Sequence, residues 1–325
     1  MRVLVIGGSG LFGKKCALAL LADPECELVV TFDPAPPDAL FMKRIEPYAD
    51  KFKYIRGDIS DLQQLLAAAS DNKVDRLVNW AMILSKDPMP WLNMKIGLQG
   101  MANVFETARI LGIKRVIYTS SETVYGFQED YGDRDIVEDD RLLPFTGSVY
   151  ALSKCLAEVF AAQYDELYGI KSTALRPCIG YGHGGKDPVF VRWFSNIVSL
   201  PAVGKPVHLE CTGNWEFSTI LSDEVGEFTR LALHAESSPH TAYNLGGPPV
   251  TLRDFAAVVK KYIPDADITF GDQPEDCELP WKVSSERAKD DFGFTLMSID
   301  EAVLKHINEA RAEAGMEPLA RGNGS

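Results

Sequence analysis

Met1-Arg-Val-Leu-Val-Ile-Gly-Gly-Ser-Gly-Leu-Phe-Gly13 decides how the rest of the chain is read. Val3 to Ile6 form a short apolar, β-branched run, and a glycine cluster ends it. Leu11, Phe12, Cys16, Leu18, Leu20 and Leu21 then recur at helical spacing. Strand, glycine turn and helix form the context that gives a glycine motif meaning. Two registers fit, Gly8-x-Gly10-x-x-Gly13 and Gly7-x-x-Gly10-x-x-Gly13. In both, the missing side chains allow a tight turn and let backbone N–H groups approach a pyrophosphate at the helix N-terminus.

The next apolar strand, Glu27-Leu-Val-Val-Thr-Phe-Asp33, ends in a carboxylate twenty residues beyond Gly13. An acid at that distance meets the ribose hydroxyls of an NAD adenosine. Asp33 would repel the 2′-phosphate of NADP, and Pro34-Ala-Pro-Pro37 supplies no arginine to hold one. NAD is therefore the expected cofactor and NADP the less favoured one.

A formal charge of −13 argues against a nucleic-acid surface or an anionic membrane, both of which need clustered Lys and Arg. The cysteines at 16, 26, 155, 178, 211 and 277 contain no Cys-x-x-Cys pair and read as thiols in a reducing compartment. The core strand begins almost at Met1, and no apolar run is long enough to span a bilayer. The expectation is a cytoplasmic protein with a small-molecule substrate. His183, His208, His234, His240 and His306 show no metal-ligand spacing, so no metal is expected.

Strands predicted at 53–58, 76–81 and 115–119 alternate with helices at 61–71 and 91–112. Alternation of this kind implies α/β architecture, a Rossmann-type doubly wound parallel sheet with ligands beyond the C-terminal strand ends. Helix 148–167 and strand 171–177 continue it. Gly180 to Gly185 reads as irregular, and the alternation loosens afterwards. Helices are expected at 189–198, from Thr251 to about Tyr262, and from Ile299 to Ala314 after a Ser298 cap. The predicted organisation is an NAD-binding domain over 1–177 with a return segment near 212–247. Residues 178–211 and 248–325 make a smaller mixed α/β substrate domain.

Tyr150 is the one tyrosine followed four residues later by a lysine, Lys154. On a helix the two share a face. A phenol is a poor base at neutral pH, and an ammonium one turn away favours the phenolate. Ser121, at the end of the fifth strand, is placed to hydrogen-bond the substrate oxygen. Serine, tyrosine and lysine together suit hydride transfer coupled to proton transfer.

Gly7-Gly-Ser-Gly-Leu-Phe-Gly13, Gly57-Asp58, Tyr118-Thr-Ser-Ser-Glu-Thr-Val-Tyr-Gly126, Tyr150-Ala-Leu-Ser-Lys154 and Leu175-Arg-Pro177 resemble the extended short-chain dehydrogenase/reductases of the NAD-dependent epimerase/dehydratase family. The resemblance covers most of the chain. It implies catalysis by Ser121, Tyr150 and Lys154. It places Gly7, Gly10, Leu11, Phe12 and Gly13 at the pyrophosphate, Asp33 at the adenosine ribose, and Asp58 and Ile59 at the adenine. Ala81, Pro177 and Ile179 would line the nicotinamide, with Tyr150 and Lys154 also touching the cofactor. It further implies a homodimer built through the helices near 95–112 and 148–167.

Departures from the family pattern concern the substrate. Nucleotide-sugar enzymes of this group commonly carry an Asn where Ile179 stands, and an Arg where Gly213-Asn-Trp-Glu-Phe-Ser218 offers Glu216. A diphosphate would meet an acid there in place of a guanidinium. Lys282 and Arg287 are the candidates to substitute for it. Trp80, Met82, Trp91, Trp193 and Trp215 are candidate walls of a compact pocket. Glu122 keeps one of the two acids typical of sugar dehydratases and Thr123 loses the other, which disfavours dehydration. Candidate substrate contacts are Met82, Ser121, Glu122, Thr123, His183 and Trp215.

The expected activity is NAD-dependent oxidation or reduction of a carbinol or carbonyl carbon in a small sugar, sugar acid or hydroxy acid. The stretch Ala81-Met-Ile-Leu-Ser-Lys86 is similar to that of bacterial L-threonine dehydrogenases of this family. The alternative is a nucleotide-sugar 4-epimerase with tightly bound NAD. Both use the same triad, which does not choose between them.

Overall fold

Short apolar runs separated by amphipathic helices have one economical packing, a sheet buried on both faces. The computed structural model describes residues 1–83, 90–143, 148–185, 189–274 and 279–320. Cys277, residues 84–86 of the 81–86 stretch, and 321–325 lie outside the described residues. The strands in chain order are β1 (Arg2–Ile6), β2 (Leu28–Asp33), β3 (Phe52–Arg56), β4 (Arg76–Asn79), β5 (Arg115–Thr119) and β6 (Lys171–Pro177). After them come β7 (Ile179–Tyr181), β8 (Val207–Cys211), β9 (Thr219–Leu221), β10 (Ala242–Leu245) and β11 (Ile268–Gln273). Seven form one parallel sheet in the order β10-β6-β5-β4-β1-β2-β3. The order reverses beside β1, which opens a crevice above its C-terminal end.

Val3, Val5, Val29, Val78 and Ile117 face one core, with Cys16, Ala17 and Leu20 of the Leu11–Leu21 helix. Leu4, Ile6, Val30, Leu77 and Val116 face the other, with Val104, Phe105 and Ala108 of the Gly100–Leu111 helix. Alternate residues of each strand thus serve opposite layers.

The helix expected at 91–112 runs as Pro90–Asn93, a π-helical stretch Met94–Gln99, and Gly100–Leu111. A Cβ on Gly97 would lie 2.9 Å from Ser153 Oγ, so the bare glycine admits the Val149–Tyr168 helix at close range. Ser148 caps that helix by accepting from Ala151 N at 3.1 Å.

Three expectations need correction. Ile179–Tyr181, read as the start of an irregular stretch, is β7 and pairs in parallel with β9. Residues 286–294, expected in the substrate domain, pack under the main sheet. There Ala288 and Phe294 join the core beside Phe228 and Tyr243. The helix Glu286–Phe292 is too short and charged to announce itself by periodicity. The third is β11, a stretch with no predicted element, which pairs in parallel with β8 and places Ile268 in the apolar cluster beyond the sheet. The return segment contributes helix Ser222–His234, packed on Leu11–Leu21, and β10 at the sheet edge.

A third apolar cluster lies between helices Val189–Ala202, Leu252–Tyr262 and Ile299–Glu313, with Phe194, Phe217 and Phe255 at its centre. Thr251 and Ser298 both close capping boxes, through Asp254 and Glu301. No described helix is long and apolar enough to cross a membrane.

Candidate active site

The glycine turn is built from backbone approaches that no side chain permits. Gly7 has φ +76°, and a Cβ there would lie 2.6 Å from Ala81 N. A Cβ on Gly13 would lie 2.1 Å from Gly7 O. Gly13→Ala is therefore expected to cost on the order of 1–3 kcal/mol by overpacking, read as a lowered thermal midpoint with weakened NAD binding. An unchanged midpoint would refute this account of the turn. Gly10 caps the Leu11–Leu21 helix with no side-chain hydrogen bond, which leaves that N-terminus at the cleft without a side-chain cap, the arrangement that suits a phosphate.

A cleft of about 470 Å³ runs along the C-terminal strand ends, a volume suited to one large ligand. Gly7, Gly10, Leu11, Phe12 and Gly13 line its middle. Asp33, Asp58 and Ile59 line one end, and Ala81, Met82, Ser121, Glu122, Thr123, Tyr150, Pro177 and Ile179 the other. Asp33 accepts from Ser9 N at 3.1 Å and from Ala35 N at 2.9 Å, so its carboxylate is fixed at the lip. Asp58 accepts from Ser60 N and Oγ and pairs with Lys95 at 3.4 Å. These residues fit an NAD adenosine, pyrophosphate and nicotinamide in that order.

Ser121 follows β5 and caps a short 3₁₀ turn, Glu122–Tyr125, by accepting from Thr123 N at 3.2 Å. The Tyr150 hydroxyl donates to Met82 Sδ at 3.8 Å, and Ser121 beside it favours the phenolate. Lys154 does not line the cleft. Its Nζ lies 5.3 Å from the Tyr150 ring centre and donates to Thr119 O at 3.0 Å. Beneath it, Glu158 accepts from Ser120 Oγ at 2.5 Å and takes a two-pronged bond from Arg176 at 2.9 and 2.6 Å. That pair bolts the helix carrying Tyr150 and Lys154 to β6.

Burial pushes the Tyr150 phenol up to about 12, against the pull of Ser121, and Glu122 pushes the same way. Burial takes Lys154 down to about 7. The expected lowering of the phenol by the lysine is therefore not what this state holds: burial raises the phenol and lowers the lysine.

Two expected substrate contacts are turned elsewhere. His183 Nδ1 meets Ser199 Oγ at 3.0 Å, its Nε2 meets Glu313, and Ser199 Oγ meets His306 Nε2 at 2.8 Å. This chain ties the loop after β7 to helix Ile299–Glu313, away from the cleft. Trp215 stacks edge-on against Trp281, with ring centres 6.3 Å apart. Trp80 lines the cleft, 5.2 Å from the Phe12 ring. Trp91 is exposed and Trp193 packs on Phe190. Lys282 pairs with Asp133, and Arg287 with Asp139 at 2.6 Å, so neither reaches the cleft as a phosphate grip.

Ile96, Phe190, Val191 and Leu279 complete the wall. Nothing in the sequence singled them out, because an apolar side chain looks the same in a core and in a pocket. Among the described residues, no group of His, Cys, Asp and Glu is placed to hold a metal ion.

A model of the NAD dependent epimerase/dehydratase family matches residues 3–246. An uncharacterized protein of Methanocaldococcus jannaschii is 31% identical over 276 residues, covering 81% of this chain and 81% of that one. A UDP-glucose 4-epimerase of Lactobacillus helveticus is 28% identical over 54% of this chain, and the match spans about half, 51%, of the epimerase's own length. The solved structure of a partial consensus L-threonine 3-dehydrogenase superposes with a TM-score of 0.81 at 19% identity, covering 96% of this chain and all of that one. The chain, whose cofactor is NAD, belongs to the NAD dependent epimerase/dehydratase family of enzymes.

Proposed function

We propose that the protein is an NAD-dependent oxidoreductase acting on a small hydroxylated substrate that carries no nucleotide: a sugar, a sugar acid or a hydroxy acid. One observation carries this reading. Ser121 and Tyr150 share the end of a cleft that opens onto the glycine turn and whose described lining contains no Lys, Arg or His. Beyond the glycine turn, whose backbone N–H groups suit the cofactor's own pyrophosphate, a diphosphate-linked sugar would find no cation in the described lining. NAD, when bound, supplies a hydride acceptor at that end.

Tyr150 takes the hydroxyl proton as the carbinol is oxidised. Ser121 holds the same oxygen, and Lys154 acts from behind the phenol. Glu158 and Arg176 keep the catalytic helix in register with β5 and β6. Net NADH formation with free sugars, sugar acids or hydroxy acids is the expected result. The likeness to the L. helveticus epimerase favours a second reading, nucleotide-sugar 4-epimerase. NAD retained through purification, with interconversion of UDP-glucose and UDP-galactose and no net NADH, would establish that one instead.

The protein is a homodimer in this proposal. Leu152, Leu156, Val159 and Leu167 are exposed along one stripe of helix Val149–Tyr168, and Met94 and Ile110 are exposed on the 90–111 helical run. A contiguous apolar stripe on two neighbouring helices suits a self-complementary interface. Val159→Glu is expected to convert the dimer to a monomer in light scattering coupled to size exclusion. A wild-type protein that elutes as a monomer would dispose of the idea.

A further inference from the structure

Glu122 follows the proposed catalytic serine, lines the cleft, and is only 3% exposed. Its Oε2 makes no hydrogen bond within the protein, and neither does Oγ1 of Thr123, which lines the same end. Buried polar atoms without partners are costly, so two side by side at the end of a cleft point to a ligand that satisfies them. Cys178, the neighbour of Glu122 in the cleft wall, supplies no positive charge. Burial holds the carboxyl well above the usual carboxylate range, which favours the neutral form, able to donate as well as accept. The other charged residues of the described lining are Asp33 and Asp58, both at the far end.

We propose that Glu122 is a specificity-determining residue that hydrogen-bonds an uncharged oxygen of the substrate beside the reacting carbon and excludes substrates bearing a carboxylate or phosphate there. The proposal rests on the oxidoreductase reading and narrows it to neutral polyols and hydroxy ketones. An anion placed against Glu122 would bring a negative charge into an apolar end of the cleft with no described cation to offset it. An uncharged hydroxyl or carbonyl would satisfy the carboxyl and Thr123 together.

The test uses the whole chain with saturating NAD and pairs of probes that differ in charge. Butane-1,3-diol is set against 3-hydroxybutyrate, D-galactose against D-galacturonate, and methyl galactoside against UDP-galactose. The expected result is a kcat/KM at least about ten-fold higher for the uncharged member of a pair, the size of one hydrogen bond lost or one charge misplaced. Glu122→Ala is expected to raise KM for that member about ten-fold with NAD affinity unchanged, and Glu122→Gln to restore it to within about three-fold. An anionic partner used as well as the neutral one by the wild-type protein overturns the proposal and leaves the oxidoreductase reading standing. So does an unchanged KM in a folded Glu122→Ala variant. No NADH from any probe, in protein that binds NAD, overturns both.

Discussion

Tyr150→Phe lowers turnover by about a thousand-fold, within the range that a positioned acid–base group contributes, while NAD affinity stays within about two-fold. The phenol is the titratable hydroxyl at the substrate end of the cleft, beside Ser121. Removing its oxygen deletes the proton acceptor and leaves the ring, its packing and the glycine turn in place. The pH profile follows from the same chemistry. Oxidation needs the phenolate, and burial holds the phenol up at about 12 in this state. The deprotonated fraction therefore grows as pH rises, so kcat/KM for oxidation should climb through and above neutrality. Reduction needs the neutral phenol and should stay level over that range, falling only in strong alkali. Lys154, taken down to about 7, loses its charge within the same window. Lys154→Ala should then depress the rate while flattening the neutral part of the profile. An oxidation rate that falls with pH, or a Tyr150→Phe variant of undiminished activity, would remove the triad from the mechanism.

Asp33→Ala is the second large effect. NAD affinity should fall about ten- to a hundred-fold, the size of a hydrogen bond to a charged group, while NADP binding falls less or improves. Two backbone N–H groups, of Ser9 and Ala35, aim the carboxylate at the lip of the cleft. A ribose bearing free 2′- and 3′-hydroxyls can donate to it. A 2′-phosphate there would meet like charge, and residues 34–37 offer no guanidinium in compensation. Calorimetric titration of both cofactors against wild type and variant measures the ratio. Thermal melting of the variant guards against loss of the turn that Asp33 also braces through Ala35. A wild-type protein that prefers NADP would contradict this account of the lip.

Much of this was legible without coordinates because it is local. A glycine turn is dictated by which backbone conformations a Cβ forbids, and the Asp33 spacing by the length of one helix and one strand. The Tyr150–Lys154 pair follows from helical periodicity, and the alternating apolar runs require a sheet covered on both faces. Thr251 and Ser298 announced two helix starts, because caps are satisfied within a few residues.

Other features depend on residues far apart in the chain and so were decided by packing. His183 sits in a loop that sequence places near the site, yet Ser199 and Glu313 turn it outward. Lys282 and Arg287 look available until Asp133 and Asp139 are seen beside them. Residues 286–294 belong under the main sheet only because Phe228 and Tyr243 wait there. Glu122 reads as a solvated loop acid until the fold removes water from it and gives it no cation. Backbone geometry and periodicity are properties of a stretch of chain; solvation and charge pairing are properties of its surroundings, which exist only once the chain has folded.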